Sequence, residues 1–461
     1  MGTHRQSANP ARGSRIVKLQ TQRFIDRWVG QLLCSAVSAW VRLTGLFSAP
    51  PQLAIAPKNI LVILLSEMGS IVLAGPMFAQ LRRLYPGAAI HILQLKKNQE
   101  VTKLLQLTQP EYMHSLDDSS GVSLVGDILQ VSATMRRLGL DAVIDCELFS
   151  RVSALLSFST GAPVRVGFTP HTQEGLYRGS FINHAIPYNP YQHITKQFLS
   201  LVDALDSAGS MPRNKVAPIR SLPVDTELSV KFSAGELATY HAKLAADHPV
   251  TTNKKLVLMY AGGGILPERA WPADHYARVA QGLCAAGFAV GLIGLKDDAQ
   301  LAKELIAKIQ NIAPTPGSAM PPEGVQPSLG PPGERMTACI DLTGYTRSIR
   351  ELLMLMHAAQ LLITNDGGPG HFATLTPIQT MVFFGPETGK LYGPLGTRNT
   401  VLESGIACSP CLSAYNHRLT FCDGDNQCLK RIAPDPVLAD ALAFLRGESG
   451  NSSNSSEAVA A

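Results

Sequence analysis

The sequence predicts an α/β protein made of two units, each with a parallel sheet covered by helices on both faces. Short runs rich in Val, Ile and Leu alternate with amphipathic stretches of helical length, which is typical of buried parallel strands. The alternation occurs twice, with a break near residues 220–226. The chain has 461 residues, 45% of them hydrophobic and 16% charged, which allows two packed cores and excludes a disordered or disulfide-scaffold protein.

The predicted strands and helices form two series along the chain. In the first series the predicted strands are 59–65, 89–93, 142–144 and 165–168, and the predicted helices are 71–85, 98–107 and 122–138. In the second series the predicted strands are 255–260, 289–293, 340–342, 361–364 and 379–384, and the predicted helices are 273–286, 299–310 and 349–359. Residues 169–191 are predicted to form a long loop near a site.

Most of the charge imbalance lies at the N-terminus. Residues 1–27 hold six Arg and Lys against one acid, so the net charge of +5 lies there and the rest of the chain is neutral. A nucleic-acid binder would carry its basic residues on the folded body, so that class is disfavoured. A basic arm suits anionic lipid headgroups instead.

Residues 28–47 are about as long as a bilayer span, but Arg42 and several polar residues interrupt the apolar run. An amphipathic helix on a membrane surface fits this pattern, so residues 1–57 are predicted to be a basic arm and a membrane-surface helix. Two alternatives remain open, a helix packed on the protein body and a cleaved secretory signal.

The strongest chemical signal is the stretch 361–385. A buried strand ends in Asn365-Asp366, and Gly367-Gly368-Pro369-Gly370-His371 opens a helix. Glycines at such a turn allow close approach of a backbone, and N–H groups at a helix start bind anions, so a phosphate site is predicted. The alternative is a tight strand-to-helix turn with a capping aspartate.

A second strand end carries three glycines, residues 262–264, followed by Arg269. Backbone donors and a guanidinium are suited to a diphosphate, and ligands of open α/β sheets bind at the carboxyl ends of strands. The dinucleotide fingerprint and the P-loop motif are missing from the sequence, which disfavours dehydrogenases and P-loop enzymes.

These motifs, with others in the same order, resemble the lipopolysaccharide heptosyltransferase family, glycosyltransferase family 9. The resemblance spans about residues 58–436. The matching segments are LSEMGSIVLAGP (65–76), DAVIDCE (141–147), PVRVGF (163–168), PERAWP (267–272), DLTGYT (341–346), NDGGPGH (365–371), FGP (384–386) and YGPLG (392–396).

The resemblance implies a GT-B architecture, with two Rossmann-like domains facing a central cleft. Residues 58–225 would bind the acceptor, and residues 226–446 would bind a nucleotide sugar, with a loop insertion at 313–334 and a disordered tail at 447–461. The family inverts the anomeric centre in a single displacement and needs no metal for the chemistry.

The resemblance also implies site residues. The diphosphate would be held by Gly264, Arg269, Asp366, Gly367, Gly368 and His371, and Asp298 or Asp297 would lie near the ribose. The acceptor would be bound by Asp145, Glu147 and Arg151.

The catalytic base is where the chain departs from the family. The family has Gly-Asp in its first loop, whereas this chain has Gly69-Ser70, and serine is a poor general base. Glu67 lies three residues earlier and is the first candidate; Glu147 or Asp145 is the second, and loss of catalysis is the third. Gly367 is another departure, since it replaces Ser or Thr.

Eight cysteines complete the inventory. Cys34, Cys146, Cys284 and Cys339 are scattered and are interpreted as small buried residues in a reducing compartment. Cys408, Cys411, Cys422 and Cys428 lie within 21 residues, where a structural zinc site and paired or free thiols are the two interpretations.

The sequence therefore predicts an inverting glycosyltransferase, with heptose from ADP-heptose as the default donor. Its acceptor would be a lipid-linked or envelope saccharide such as lipopolysaccharide core, reached from the cytoplasmic face of the membrane, with no required cofactor. The alternatives are a same-fold enzyme that uses another nucleotide sugar and a non-catalytic nucleotide-sugar-binding protein.

Overall fold

The computed structural model describes residues 26–44, 53, 56–119, 121–148, 150–169, 178–205, 228–264, 266–311, 338–413 and 422–448. They fall into two compact units, one formed by residues before 223 and one formed mostly by residues after it. Nearly all of the predicted arm and tail, the predicted domain boundary at 225/226 and the insertion 313–334 lie outside the described residues.

The first unit carries a parallel sheet in the order β3-β2-β1-β4-β5-β6. Its strands are Asn59–Leu64 (β1), Ala89–Leu95 (β2), Met113–Leu116 (β3), Ala142–Asp145 (β4), Val164–Phe168 (β5) and His184–Ile186 (β6). Its helices are Gln31–Thr44 (α1), Met68–Leu84 (α2), Gln99–Leu104 (α3), Gly121–Leu138 (α4), Arg151–Ser159 (α5) and Ile194–Asp203 (α6).

The second unit repeats this topology, with the order β12-β11-β10-β7-β8-β9. Its strands are Leu256–Tyr260 (β7), Ala289–Gly294 (β8), Cys339–Thr343 (β9), Ala359–Asn365 (β10), Gln379–Phe383 (β11) and Asn399–Leu402 (β12). Its helices are Ala234–Asp247 (α7), Val250–Asn253 (α8), Ala273–Ala285 (α9), Ala299–Asn311 (α10), Ile349–His357 (α11), Gly368–Ala373 (α12), Gly389–Tyr392 (α13), Gln427–Lys430 (α14) and Pro434–Arg446 (α15).

The central strands are buried on both faces, as their continuous apolar sequences require. β1 reads NILVIL and pairs in parallel with β2 on one side and β4 on the other. In the second unit Trp271 stacks on Phe383 with ring centroids 4.1 Å apart. Helices α9 and α15 touch at Gly282, where a Cβ would lie 2.2 Å from Leu438, so a larger residue would push them apart. The α/β fold class is confirmed.

Three strands are additional to those that the sequence predicts. β3 (MHSL) is half polar, β6 (HAI) has three residues, and β12 (NTVL) is only partly buried. Each is the last strand at one edge of its sheet, where a strand has a neighbour on one side only and need not consist of apolar residues. β6 lies inside the predicted loop 169–191, so that prediction is wrong for its last part.

Helix α1 packs on the first unit through one face, with Cys34 and Ser38 buried. Within the residues described, no helix combines the length and apolarity needed to cross a bilayer.

Candidate active site

The strand order places two candidate sites, one in each unit. In each sheet the order reverses beside the first strand, between β1 and β4 and between β7 and β10. Loops leaving neighbouring strands in opposite directions open a crevice at such a switch point, which is where open α/β sheets bind ligands. The predicted donor motifs follow β7 and β10, and the candidate base follows β1.

In the second unit, Asn365 ties the two strand-end loops together. Its side-chain Nδ2 donates to the carbonyl of Gly262 at 3.0 Å. Its Oδ1 accepts from the backbone N–H of Trp271 at 2.9 Å and from the hydroxyl of Tyr276 at 3.1 Å. Because all three bonds are buried, they fix the glycine loop, residues 262–264, against the loop after β10. Gly264 has a φ of +61°, a conformation that favours glycine.

Arg269 lies between two buried carboxylates. Its Nε is 3.4 Å from Asp366 Oδ2, and an Nη forms an ion pair with Glu387. All three side chains are at most 10% exposed. One cation between two anions leaves the cluster one negative charge in excess, and the guanidinium is held in a single orientation. The structure thus brings together Arg269 and Asp366, as the sequence predicts.

Glu387 was missed by the sequence reasoning. It follows the FGP motif at the end of β11, and an acid immediately after a strand-end turn was the available signal. Its pairing with Arg269, 118 residues away, depends on the neighbouring positions of β10 and β11.

The remaining donor predictions lie around this cluster. Gly367 and Gly368 are partly exposed at the start of α12, and His371 is buried within it. Asp298 uses its Oδ2 to accept from the N–H of Leu295 at 2.9 Å, and it lines a small cavity together with Gly262. Asp298 therefore caps its own turn at the end of β8 and lies near the glycine loop.

In the first unit, Glu67 directly precedes α2 at the carboxyl end of β1. It is exposed, and its side chain makes no capping hydrogen bond. The backbone carbonyl of Glu67 accepts from the N–H of Ser70 at 2.9 Å, which places both residues in the first turn. A carboxylate in this position is accessible to an incoming hydroxyl group.

Asp145 and Arg151 do not fit the predicted acceptor-binding role. Asp145 is fully buried at the end of β4, forms an ion pair with Arg178 and accepts from Ser153 Oγ at 3.0 Å. Arg151 is 1% exposed and pairs with Asp26 at 3.5 Å. Because neither side chain reaches solvent, these two predictions are corrected, and both residues stabilise the unit internally.

Burial raises the pKa of Asp145 to about 6, and Arg178 acts in the opposite direction by favouring the charged form. Arg178 also donates to the backbone carbonyls of Ser150 and Glu147. These bonds hold the loop after β4 in one conformation. Arg178 was not predicted from the sequence, because it lies 33 residues after Asp145.

Both carboxylate oxygens of Glu147 accept hydrogen bonds from the loop after β1. Its Oε1 accepts from the N–H of Leu65 at 2.7 Å and from Ser66 Oγ at 2.8 Å. Asn98 donates to the carbonyl of Ser66 at 2.7 Å. Together Glu147 and Asn98 fix the loop that carries Glu67, so the geometry indicates a positioning role for Glu147.

The cysteines are all free thiols, and Cys34, Cys146, Cys284 and Cys428 are buried. No group of three or more His, Cys, Asp or Glu side chains within the described part of the chain is arranged to hold a metal ion. Burial raises the pKa of the Cys428 thiol, and Cys411, Cys408 and Cys422 lie close enough to act on it electrostatically in the same direction.

Comparison with known proteins agrees with this geometry. The model of glycosyltransferase family 9 (heptosyltransferase) matches residues 128–317 and 331–420, more than half of the chain. A curated relative, lipooligosaccharide heptosyltransferase 2 of Haemophilus ducreyi, is 22% identical over 354 residues, which cover 75% of this chain and 88% of the relative.

Two solved structures share the fold. The Escherichia coli ADP-heptose lipopolysaccharide heptosyltransferase II matches with a TM-score of 0.60 at 20% identity, covering 85% of this chain and 100% of that one. The E. coli heptosyltransferase WaaC, solved with ADP-2-deoxy-2-fluoro heptose, matches with a TM-score of 0.52 at 14% identity, with the same coverage.

Two Rossmann-like units of this topology form the GT-B fold, and the family match makes the chain a glycosyltransferase with that fold. The resemblance drawn from the motifs is confirmed. The chain belongs to glycosyltransferase family 9, the heptosyltransferase family.

Proposed function

We propose that this enzyme transfers a heptose from ADP-heptose to a hydroxyl group of a lipid-linked saccharide such as lipopolysaccharide core. The observation that carries the donor half is Arg269, held by Asp366 and Glu387 at the switch point of the second unit. The named relatives, which are heptosyltransferases, support the choice of sugar. The acceptor is proposed to be met at the cytoplasmic face of a membrane.

The proposed step is a single displacement with inversion. Glu67 takes the proton of the acceptor hydroxyl while the acceptor oxygen attacks the anomeric carbon. The bond from that carbon to the diphosphate oxygen breaks, and its electron pair goes to the leaving ADP. Arg269, His371 and the N–H groups near Gly367 and Gly368 stabilise the diphosphate charge, and Asp298 lies near the ribose.

No bound metal is proposed for this step, because the Arg269 guanidinium and the backbone N–H groups near Gly367 and Gly368 are proposed to donate hydrogen bonds to the leaving diphosphate. Activity is expected to survive treatment with EDTA. Loss of activity that a divalent ion restores would contradict the metal-free step.

The donor site is tested by calorimetric titration of the full chain with ADP, UDP and GDP. ADP is expected to bind in preference to the other two, and Arg269→Ala is expected to abolish this binding. Removing the guanidinium also removes the ion pairs that Asp366 and Glu387 form with it, so Arg269→Lys is a milder variant. Lysine keeps the positive charge but loses the planar pair of N–H donors, and this variant is expected to bind ADP about tenfold more weakly.

Arg278→Ala is the matched control, since Arg278 forms a more exposed ion pair with Asp435 in the same unit. It is expected to bind ADP like the parent chain. Preference for UDP or GDP would favour an enzyme with another donor sugar. Binding of none of the three would contradict the donor assignment.

A further inference from the structure

The N-terminal helix is clamped to the first unit in one orientation. The carboxylate of Asp26, just before α1, accepts from the N–H groups of Arg151 and Val152 at 2.9 and 3.1 Å. Ser38 Oγ accepts from the N–H of Ser180 at 3.0 Å. Cys34 is buried against Phe181 and its neighbours. These bonds decide which face of the helix points outward.

The outward face is apolar. At 100° per residue, Leu32, Leu33, Trp40 and Leu43 occupy an arc of roughly 100° on α1, and the buried Cys34 and Ser38 lie on the other side of the helix. Trp28 and Val29 belong to the π-helical turn Asp26–Gly30, which leads directly into α1. We call this set the apolar ridge. Its members are Trp28 (55% exposed), Val29 (50%), Leu32 (73%), Leu33 (49%), Trp40 (58%) and Leu43 (72%).

Such clustering is unusual within the described residues. Other large exposed apolar side chains, such as Leu129 and Leu295, lie singly along the chain, which is normal for a protein surface. A contiguous apolar set on one rigid helix marks a surface that contacts something.

The charge of the neighbouring chain indicates which partner the ridge meets. Residues 1–27, which lead directly into the ridge, hold six Arg and Lys and one acid. Arg42 and Trp40 lie in the second half of α1, and Trp28 lies in the turn before it; tryptophan favours the headgroup region of a bilayer. The 14 residues of α1 extend only about 21 Å, so the helix is too short to cross a bilayer core of about 30 Å.

We infer that the apolar ridge is a lipid-docking surface, on which the first unit lies flat against an anionic membrane. Leu32 and Leu43, the two most exposed members, enter the headgroup boundary, and the basic charge of the preceding sequence favours an anionic surface. The inference deepens the proposed function, on which it rests for the lipid-linked acceptor, by giving the surface that brings the enzyme to it.

The test is co-sedimentation of the full chain with vesicles of mixed phosphatidylglycerol and phosphatidylcholine. The variant carries Leu32→Ser and Leu43→Ser, and the matched control carries Leu129→Ser and Leu295→Ser, at positions that are each 68% exposed. The parent and the control are expected to bind alike, and the ridge variant about tenfold more weakly for each leucine lost. Circular dichroism of all three checks that they fold.

Three results would overturn the inference. The first is equal vesicle binding by the ridge variant and the control. The second is vesicle binding that the ridge variant keeps at low salt and that high salt abolishes. This result would assign the binding to the basic residues before the ridge alone. The third is a self-association of the parent chain without vesicles that the ridge variant loses, which would make the ridge an interface between copies.

Vesicle binding is measured without donor or acceptor, and ADP binding without vesicles. The ridge variant is expected to bind ADP like the parent chain. Failure of the docking surface and failure of the proposed donor site are therefore distinguishable.

Discussion

Arg269 does two tasks at the scale of single residues. Its ion pairs with Asp366 and Glu387 place a positive charge beside two buried carboxylates. The same pairs hold the guanidinium at the end of β7, where a diphosphate is proposed to bind. A hydrogen-bond donor that is fixed before the substrate arrives requires little reorganisation as charge develops on the leaving group.

Glu67 is the residue on which the proposed chemistry depends most. Glu67→Gln keeps the size of the side chain and removes the base, so kcat is expected to fall by about 10² to 10⁴. The affinity for ADP should be unchanged, because the nucleotide is proposed to bind in the other unit. Steady-state kinetics with calorimetry separates the two quantities.

Ser70 provides the control for that experiment. Ser70→Ala is expected to retain most of the activity, because the hydroxyl group is not the base. Ser70→Asp, made in the Glu67→Gln background, should restore part of kcat, since it returns an aspartate to the position where the family has one. Parent-like kcat in Glu67→Gln, or a large loss in Ser70→Ala, would show that the base is misassigned.

At the scale of elements, the loop between β1 and α2 is held in place by hydrogen bonds from its neighbours in the first unit. Glu147 at the end of β4 accepts from Leu65 and Ser66, and Asn98 donates to Ser66 from the segment after β2. The loop is therefore held from both neighbouring strands. Such restraint keeps a catalytic side chain within reach of its substrate.

The positioning role of Glu147 can be separated from a role as base. Glu147→Ala removes both accepting oxygens and is expected to lower kcat about tenfold. Glu147→Gln keeps one oxygen for the loop and should retain most of the activity. If Glu147 were the base, both variants would lose activity equally, so steady-state kinetics of the pair decides between the two roles.

A pair of histidines lies where β2 pairs with β3, with His91 buried and His114 half-buried. His91 Nδ1 lies 3.1 Å from His114 Nε2, and burial, with His114 as a second cause, lowers the pKa of His91 to about 4. Burial also lowers the pKa of His114. Both rings are therefore neutral in the folded protein near pH 7.

Acid should destabilise this unit for that reason. The unfolded chain binds a proton at His91 near pH 6.5, whereas the folded chain binds it only near pH 4. Between these pH values the unfolded state holds more protons than the folded state, so the free energy of unfolding falls as the pH falls. The loss from His91 alone is expected to approach about 3 kcal/mol. Denaturant titrations at several pH values should show a shallower loss in His91→Leu, and an unchanged slope would contradict the assignment.

The sequence predicted the central elements of both units, because strands such as β1 and β7 are almost entirely apolar and their helices are amphipathic. It did not predict β3, β6 or β12, whose short or mixed sequences become strands only beside a neighbour. Arg269 and Asp366 were found from local motifs. Glu387 and Arg178 were not, because their roles depend on partners more than 30 residues away.

At the scale of the whole molecule, one topology is used twice with different chemistry at its switch points. The second unit places a guanidinium, glycines and a helix start there, which suits an anionic leaving group. The first unit places an accessible carboxylate there, which suits removal of a proton. This division of tasks follows from the two sheets and needs no inserted catalytic domain.

The most direct test of that account is a transfer assay with the purified full chain, ADP-heptose and a heptose-deficient lipopolysaccharide, read as release of ADP. The account predicts ADP release that requires the acceptor, is lost in Arg269→Ala and is strongly reduced in Glu67→Gln. ADP release that is indifferent to the acceptor and to both substitutions would contradict it, and so would a folded chain that binds ADP yet transfers no sugar.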